Sequence, residues 1–282
     1  MRVDKAAGLL VFTDLDGSLL DHHSYSYEAA EPQLRRLEQL GVPVIPVSSK
    51  TRPEIEALRR QLGNAEPFIA ENGAAAFIPQ GYFVQQPAET ALRDGYWVRE
   101  WAAPRDVWLG VLASLDNEFA GEYETFSAVG VEGVMALTGL DRAAAELANQ
   151  RDYTEQVRWL GDKARKAQFV EALQGNGASV TQGGRFLSVS GNCSKGDALC
   201  WLRGLYKAAW PECTVCDLAI GDSANDIDML EAAHTCLLIR SPAHELPRLQ
   251  RQDGFMLSTV PGPTGWAEGV ERWLQLHQDK IT

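Results

Sequence analysis

Two carboxylates two residues apart, Asp14 and Asp16, stand with Gly17 directly behind the apolar run Leu9-Leu10-Val11-Phe12. That run is long enough for a buried strand and too short for a membrane span. Carboxylates at the end of a buried strand are costly to desolvate unless a cation or a shared proton compensates them. A solvated turn fits any single Asp-x-Asp-Gly, so the pair matters through its company. Ser48-Ser49-Lys50, Glu71-Asn72-Gly73 and Gly221-Asp222-Ser223-Ala224-Asn225-Asp226 also sit at strand ends or helix starts, and Lys195-Gly196-Asp197 opens a further helix. Ligands of open parallel sheets bind beyond the carboxyl ends of the strands. Three of these clusters are therefore expected to meet at one crevice, given an ordinary strand order. Each has a plainer reading alone, a serine as a helix cap or a lysine as a solvated helix start, and it is their joint order that calls for a shared site.

The elements that must position them follow from the hydrophobic pattern. Strands are expected at Leu9–Phe12, Val42–Val47 and Phe68–Ala70, with helices over Glu28–Leu40, closed by Gly41, and Pro53–Leu62. The alternation returns with helix Lys195–Ala209, strand Val215–Ile220, helix Asn225–Ala233 and strand Thr235–Ile239. A last strand over Phe255–Ser258 and a last helix over Trp266–His277 follow. Strands alternating with helices at this spacing imply an α/β fold, a doubly wound parallel sheet. Pro43 and Pro46, inside the second strand, either argue against a strand there or place it at an edge. The intervening stretch, with Trp97, Trp101, Trp108 and Trp159 and a helical segment Asp141–Asn149, has a different texture. It is expected to be an inserted α+β domain over residues 85–190, with 1–84 and 191–282 forming the core.

At 282 residues, 45% apolar and 23% charged, the chain suits a globular protein with a sizeable core. A net charge of -12 argues against a general nucleic-acid or anionic-membrane binder. The N-terminus lacks the layout of a signal peptide, so a cytoplasmic location is expected. Five cysteines, an odd count, speak against a disulfide framework, and Cys213 and Cys216 are expected to be free thiols near a strand start.

The order Asp-x-Asp-Gly, strand-end serine, lysine and Gly-Asp-x-x-Asn-Asp resembles the haloacid dehalogenase superfamily of phosphotransferases across the whole core. The insert resembles the cap of the C2-capped, Cof-like type IIB branch. Within that branch, Val47-Ser48-Ser49-Lys50-Thr51-Arg52, Glu71-Asn72-Gly73, Leu137-Thr138-Gly139-Leu140, Arg151-Asp152-Tyr153-Thr154-Glu155 and Gly183-Gly184-Arg185-Phe186 resemble the mannosyl-3-phosphoglycerate phosphatase family.

The resemblance implies roles that phosphoryl transfer needs. Asp14 would be the nucleophile, Asp16 the general acid and base, Ser48 a donor to a phosphoryl oxygen, and Lys195 a charge partner. Asp14, the main-chain carbonyl of Asp16 and Asp222 would hold Mg²⁺, with Asn225 and Asp226 supporting its shell. The implied reaction is hydrolysis of mannosyl-3-phosphoglycerate to mannosylglycerate, a compatible solute, and phosphate. The alternatives are another sugar-phosphate phosphatase (glucosyl-3-phosphoglycerate, hexose or sucrose phosphate), a phosphomutase, or a non-catalytic sugar-phosphate-binding module.

Candidates for substrate contact are Lys50, Glu71, Asn72, Arg151, Glu155 and Arg185. Residues 151–195 carry seven basic against four acidic side chains, and Arg185 suits a bidentate grip on a glycerate carboxylate. Glu155 is expected to accept hydrogen bonds from sugar hydroxyls. Two positions depart from the family pattern: Ser18 stands where threonine is commoner, and Leu187-Ser188 stand where a histidine is expected.

Overall fold

Every residue of the strand Leu9–Thr13 is buried, as the centre of a parallel sheet requires. The computed structural model, which describes residues 8–182 and 185–281, places Cys216–Gly221 on one side of it and Val44–Pro46 on the other, both parallel. Thr235–Arg240 and Phe255–Pro261 extend the sheet, giving the order Phe255–Pro261, Thr235–Arg240, Cys216–Gly221, Leu9–Thr13, Val44–Pro46. Alternate side chains feed two apolar layers. Leu9 and Val11 join Leu37, Val44, Trp266, Val270 and Trp273 on one face. Leu10 and Phe12 join Ile45, Leu199, Leu202, Tyr206 and Leu238 on the other. The core is thus a doubly wound α/β sheet, covered by helices on both faces.

Pro46 lies in the strand at the end of this order, where a missing N–H costs the ladder least. The helix behind it, Arg52–Leu62, has a complete capping box, Thr51 with Glu54, and a left-handed Gly63 at its end. Phe68–Ala70 departs from expectation. A single parallel bridge, Val47 to Ile69, joins it to the main sheet, and its ladder is antiparallel, with Ala75–Pro79. Tyr96–Glu100 and Ala91–Arg93 complete that second sheet.

The insert begins later than its tryptophan content suggests. Residues 91–100, expected to belong to it, bury Val98 and Trp97 in the two core layers. A separate apolar core starts with the helix Arg105–Leu115, which with Lys163–Gly175 buries Trp108, Leu112, Phe119, Val157, Phe169 and Val189. Its antiparallel sheet runs in the order Tyr123–Thr125, Glu155–Trp159, Leu187–Ser190, Ser179–Gln182. Helices Phe126–Thr138 and Arg142–Asn149 pack on each other through Phe126, Val134, Ala145 and Ala148. No helix among the described residues is long and apolar enough to cross a membrane.

Candidate active site

Asp14 leaves the central strand with its N–H donating to the Ile220 carbonyl at 2.8 Å. Its own carbonyl accepts the Thr13 hydroxyl at 2.7 Å, and that hydroxyl accepts the indole N–H of buried Trp266 at 2.9 Å. The Asp14 peptide is therefore fixed before its side chain does anything. Its carboxylate meets Nζ of Lys195 at 2.8 Å, and the same ammonium lies 2.7 Å from Asp226. Lys195 is 1% exposed, on the first turn of the helix Lys195–Ala209.

Asp222 and Asp226 come from the turn after the strand Cys216–Gly221. The second oxygen of Asp226 accepts the N–H groups of Asp222 and Ser223, each at 3.1 Å, which folds the turn back on itself. One carboxylate oxygen from each of Asp14, Asp222 and Asp226 lies within 4.8 Å of the others, all three side chains buried. Burial first and Asp226 second raise the Asp14 carboxyl well above its ordinary range, with Lys195 pulling the other way. Burial and then Asp226 push Asp222 up to about 7. Burial works against the charge of Lys195, yet Asp14 and Asp226 outweigh it and raise its pKa.

Three buried carboxylates cluster around one ammonium, which bonds only Asp14 and Asp226. The balance left over favours a further cation, and an all-oxygen donor set selects a hard one such as Mg²⁺. Two features of the loop before it agree. Gly17 has φ +81°, and a Cβ there would sit 2.5 Å from an Asp222 carboxylate oxygen, so only glycine lets the loop press against Asp222. Asp16 gives one oxygen to Lys50 at 2.9 Å, while its other oxygen, Oδ1, is buried with no protein partner. These residues fit a metal-assisted site.

Ser48 is buried beside them, its hydroxyl oxygen accepting the Lys50 N–H at 3.2 Å. Lys50 does not reach outward toward a ligand. It pairs with Asp16 and, at 3.7 Å, with Glu54, and its ammonium lies 5.3 Å from the centre of the Tyr25 ring. Asn225 donates through its side-chain amide to Asn72 at 3.1 Å, which ties two expected ligand contacts to each other. His244 was not anticipated. Its Nε2 lies 3.2 Å from Asp222, on the loop after the strand Thr235–Arg240, so its signal was its place at a strand's carboxyl end.

The expected substrate contacts on and under the cap turn out differently. Glu155 is fully buried, with one oxygen 2.5 Å from Arg105 and the other accepting the Ser127 N–H at 3.1 Å. It stitches the starts of two cap helices together and faces no cleft. Glu71 is 1% exposed and accepts hydrogen bonds from the cap residues Asp152, Tyr153 and Thr154. Arg151 donates to the Thr154 hydroxyl at 2.7 Å and to the Ser49 carbonyl at 2.7 Å. Arg185 donates to the Leu137 and Thr138 carbonyls, satisfying the exposed end of the helix Phe126–Thr138. Its neighbours Gly183 and Gly184 lie outside the described residues. The basic excess of residues 151–195 is also spent internally, with Arg158 on Glu124 and Arg165 on Glu122.

A sequence family described as haloacid dehalogenase-like hydrolase matches residues 11–91. A glucosyl-3-phosphoglycerate/mannosyl-3-phosphoglycerate phosphatase of Methanococcoides burtonii is 34% identical over 267 residues, 93% of this chain and 95% of that protein. One of the same description from Persephonella marina is 34% identical over 275 residues, 94% of this chain and 97% of that protein. Among solved structures, a haloacid dehalogenase-like hydrolase of B. subtilis superposes with TM-score 0.61 at 19% identity, covering 94% of this chain and 98% of that one. The sucrose-phosphatase of Synechocystis, solved with sucrose and phosphate, superposes with TM-score 0.59 at 14% identity, again covering 94% and 98%. These two show likeness of fold.

Proposed function

This chain belongs to the haloacid dehalogenase-like hydrolases, C2-capped branch, and from that membership we propose that it is a Mg²⁺-dependent phosphatase of glycosyl-3-phosphoglycerates. The buried group Asp14, Asp222, Asp226 and Lys195 carries the chemical part of this reading. The two relatives that align over nearly the whole chain support the substrate. Mannosyl-3-phosphoglycerate is the first substrate, giving mannosylglycerate and phosphate. The glucosyl ester is the second, because both relatives bear both esters in their names.

In this reading Asp14 attacks phosphorus in line. A bond forms from its carboxylate oxygen to phosphorus as the bond from phosphorus to the glycerate oxygen breaks. Asp16 delivers a proton to that leaving oxygen through Oδ1, the oxygen that Lys50 leaves free. Asp16, now ionised, takes a proton from water, the water oxygen bonds to phosphorus, and phosphate leaves Asp14. Ser48 orients a phosphoryl oxygen, and Lys195 holds Asp14 and offsets its charge. A Mg²⁺ ion held by Asp14, the Asp16 carbonyl and Asp222 would supply Lewis-acid withdrawal of charge from the phosphoryl oxygens. Asp226 organises this set, since its two oxygens anchor Lys195 and the turn that carries Asp222.

The test is phosphate release from mannosyl- and glucosyl-3-phosphoglycerate, 3-phosphoglycerate, sucrose phosphate and several hexose phosphates, with Mg²⁺ and with EDTA. Preference for the glycosyl-3-phosphoglycerates, abolished by EDTA, is expected. Equal release from simple hexose phosphates would overturn the substrate and keep the chemistry. No release from any ester would overturn the phosphatase.

A further inference from the structure

We propose that the turn Glu71-Asn72-Gly73 is a positioning element that makes seating of the cap and placement of the Asp222–Asp226 loop one event; it rests on the phosphatase reading only for its activity readout. Three consecutive residues here occupy the left-handed region, with φ of 49° at Glu71, 61° at Asn72 and 92° at Gly73. Glycine accepts that conformation freely. Asparagine tolerates it better than most residues, whereas glutamate holds it only where its surroundings over-determine it.

Each of the three is held by a different part of the molecule. The Glu71 carboxylate accepts the N–H of Asp152 at 2.8 Å, of Tyr153 at 3.2 Å and of Thr154 at 2.8 Å, and the Thr154 hydroxyl at 2.6 Å. All four donors lie on the cap segment that enters the strand Glu155–Trp159. Asn72 accepts from Asn225 at 3.1 Å, between Asp222 and Asp226 in the chain. Gly73 packs so closely on the Ser194 carbonyl that a Cβ would fall 2.3 Å from its oxygen, one residue before Lys195. One short turn therefore touches the cap, the loop of two clustered carboxylates and the helix of the lysine. Parallel straps tie the cap to the Ser48 loop: Arg151 donates to the Ser49 carbonyl at 2.7 Å, and Thr51 to the Leu147 carbonyl at 2.9 Å.

The consequence is directional. If the cap lifts, Glu71 exchanges all four fixed donors for water, which satisfies the carboxylate without fixing its position. The turn is then held only from the core side, by the Glu71 N–H on the Lys50 carbonyl at 3.0 Å and the Asn72 N–H on the Ser48 carbonyl at 2.9 Å. Relaxation at Glu71 and Asn72 draws Asn72 off Asn225 and frees Gly73 from Ser194, so the carboxylates and lysine are in register only under a seated cap.

The experiment compares amide hydrogen exchange in the full-length wild type, E71A and E71Q, with kcat and KM for mannosyl-3-phosphoglycerate and for p-nitrophenyl phosphate. In E71A, exchange is expected to rise at residues 152–154 and also at 222–226. The kcat on both esters should fall by about 100-fold, as for a loop misplaced by an ångström, with a smaller change in KM. E71Q, which keeps the shape and one acceptor oxygen, should recover part of that loss. A rise confined to 152–154 with unchanged kcat overturns the proposal and leaves Glu71 a local clamp. If E71A does not fold, E71Q decides, and raised exchange at 152–154 with wild-type exchange at 222–226 in that variant overturns it. A wild type that hydrolyses neither ester overturns the phosphatase reading, while the exchange comparison still decides the coupling.

Discussion

Asp222 binds its proton tightly for an acid, and this makes a metal's effect depend on pH. Its carboxyl titrates near 3.8 when unperturbed and about 7 in the fold, through burial and the neighbouring Asp226. A group raised in this way contributes stability that is complete below the unperturbed value and lost as pH climbs through the folded one. The fold without cation is thus weakened toward and above neutrality. A cation that binds the ionised form displaces that proton, so its stabilisation grows across the same window. Mg²⁺ should therefore raise the melting temperature more at about pH 8 than at about pH 5, relative to EDTA. Equal increments at both pH values would remove Asp222 from the metal set. Asp14→Asn tests the other role at this scale. The variant should lose phosphate release while a titration still detects binding of the ester, whereas a binding module would keep its ligand response in full.

The cluster of Asp14, Lys195, Asp222 and Asp226 was legible because strand ends and a glycine turn mark places as well as residues. The candidates for substrate contact were not. Glu71, Arg151 and Glu155 are charged residues near the expected cleft, and residue type alone does not separate a ligand contact from a group that satisfies backbone amides. Only the fold shows Glu71 bound to three consecutive N–H groups.

Among the elements, the turn 71–73 holds two of the five left-handed non-glycine residues among the described residues, with a cost of about 1–3 kcal/mol for a residue forced into that conformation. Gly73→Ala adds such a cost and drives a methyl into the Ser194 carbonyl. A urea melt of this variant should show a loss of at least about 1–3 kcal/mol, without the Glu71 donors being touched. A loss within about 0.5 kcal/mol, the range of ordinary surface changes, would mean that the turn is not pressed against the Lys195 helix. The regular elements around it were readable from periodicity, since the strands of the main sheet are short apolar runs and Arg52–Leu62 has its cap written in Thr51 and Glu54. The hairpin Ala91–Arg93 with Tyr96–Glu100 was misassigned for a definite reason. Its tryptophans resemble those of the insert, but Trp97 and Val98 alternate onto the two core layers, and sheet partners distant in sequence decide that.

At the scale of the whole molecule, the cap core is joined to the central core by a few polar straps and by Tyr153, which is buried in the layer of Leu9 and Val11, and this predicts how the protein comes apart. Phe169 is fully buried in the cap, with ring centres of Tyr123, Trp159 and Phe119 at 4.9, 5.0 and 5.2 Å. Phe169→Ala should cost about 3–5 kcal/mol, a penalty confined to the cap because none of those contacts reaches the catalytic core. The residues that would hold Mg²⁺ all stand on the other side of the straps. The variant should therefore unfold in two steps, with Trp159 reporting the first and the far-ultraviolet signal continuing through the second. Mg²⁺ should move the second step and leave the first where it is. Phosphate release should vanish with the first, because the amides of residues 152–154 then abandon Glu71 while the residues that would hold Mg²⁺ are still folded. A single coincident transition, shifted whole by Mg²⁺, would show that the straps bind cap and core into one cooperative unit.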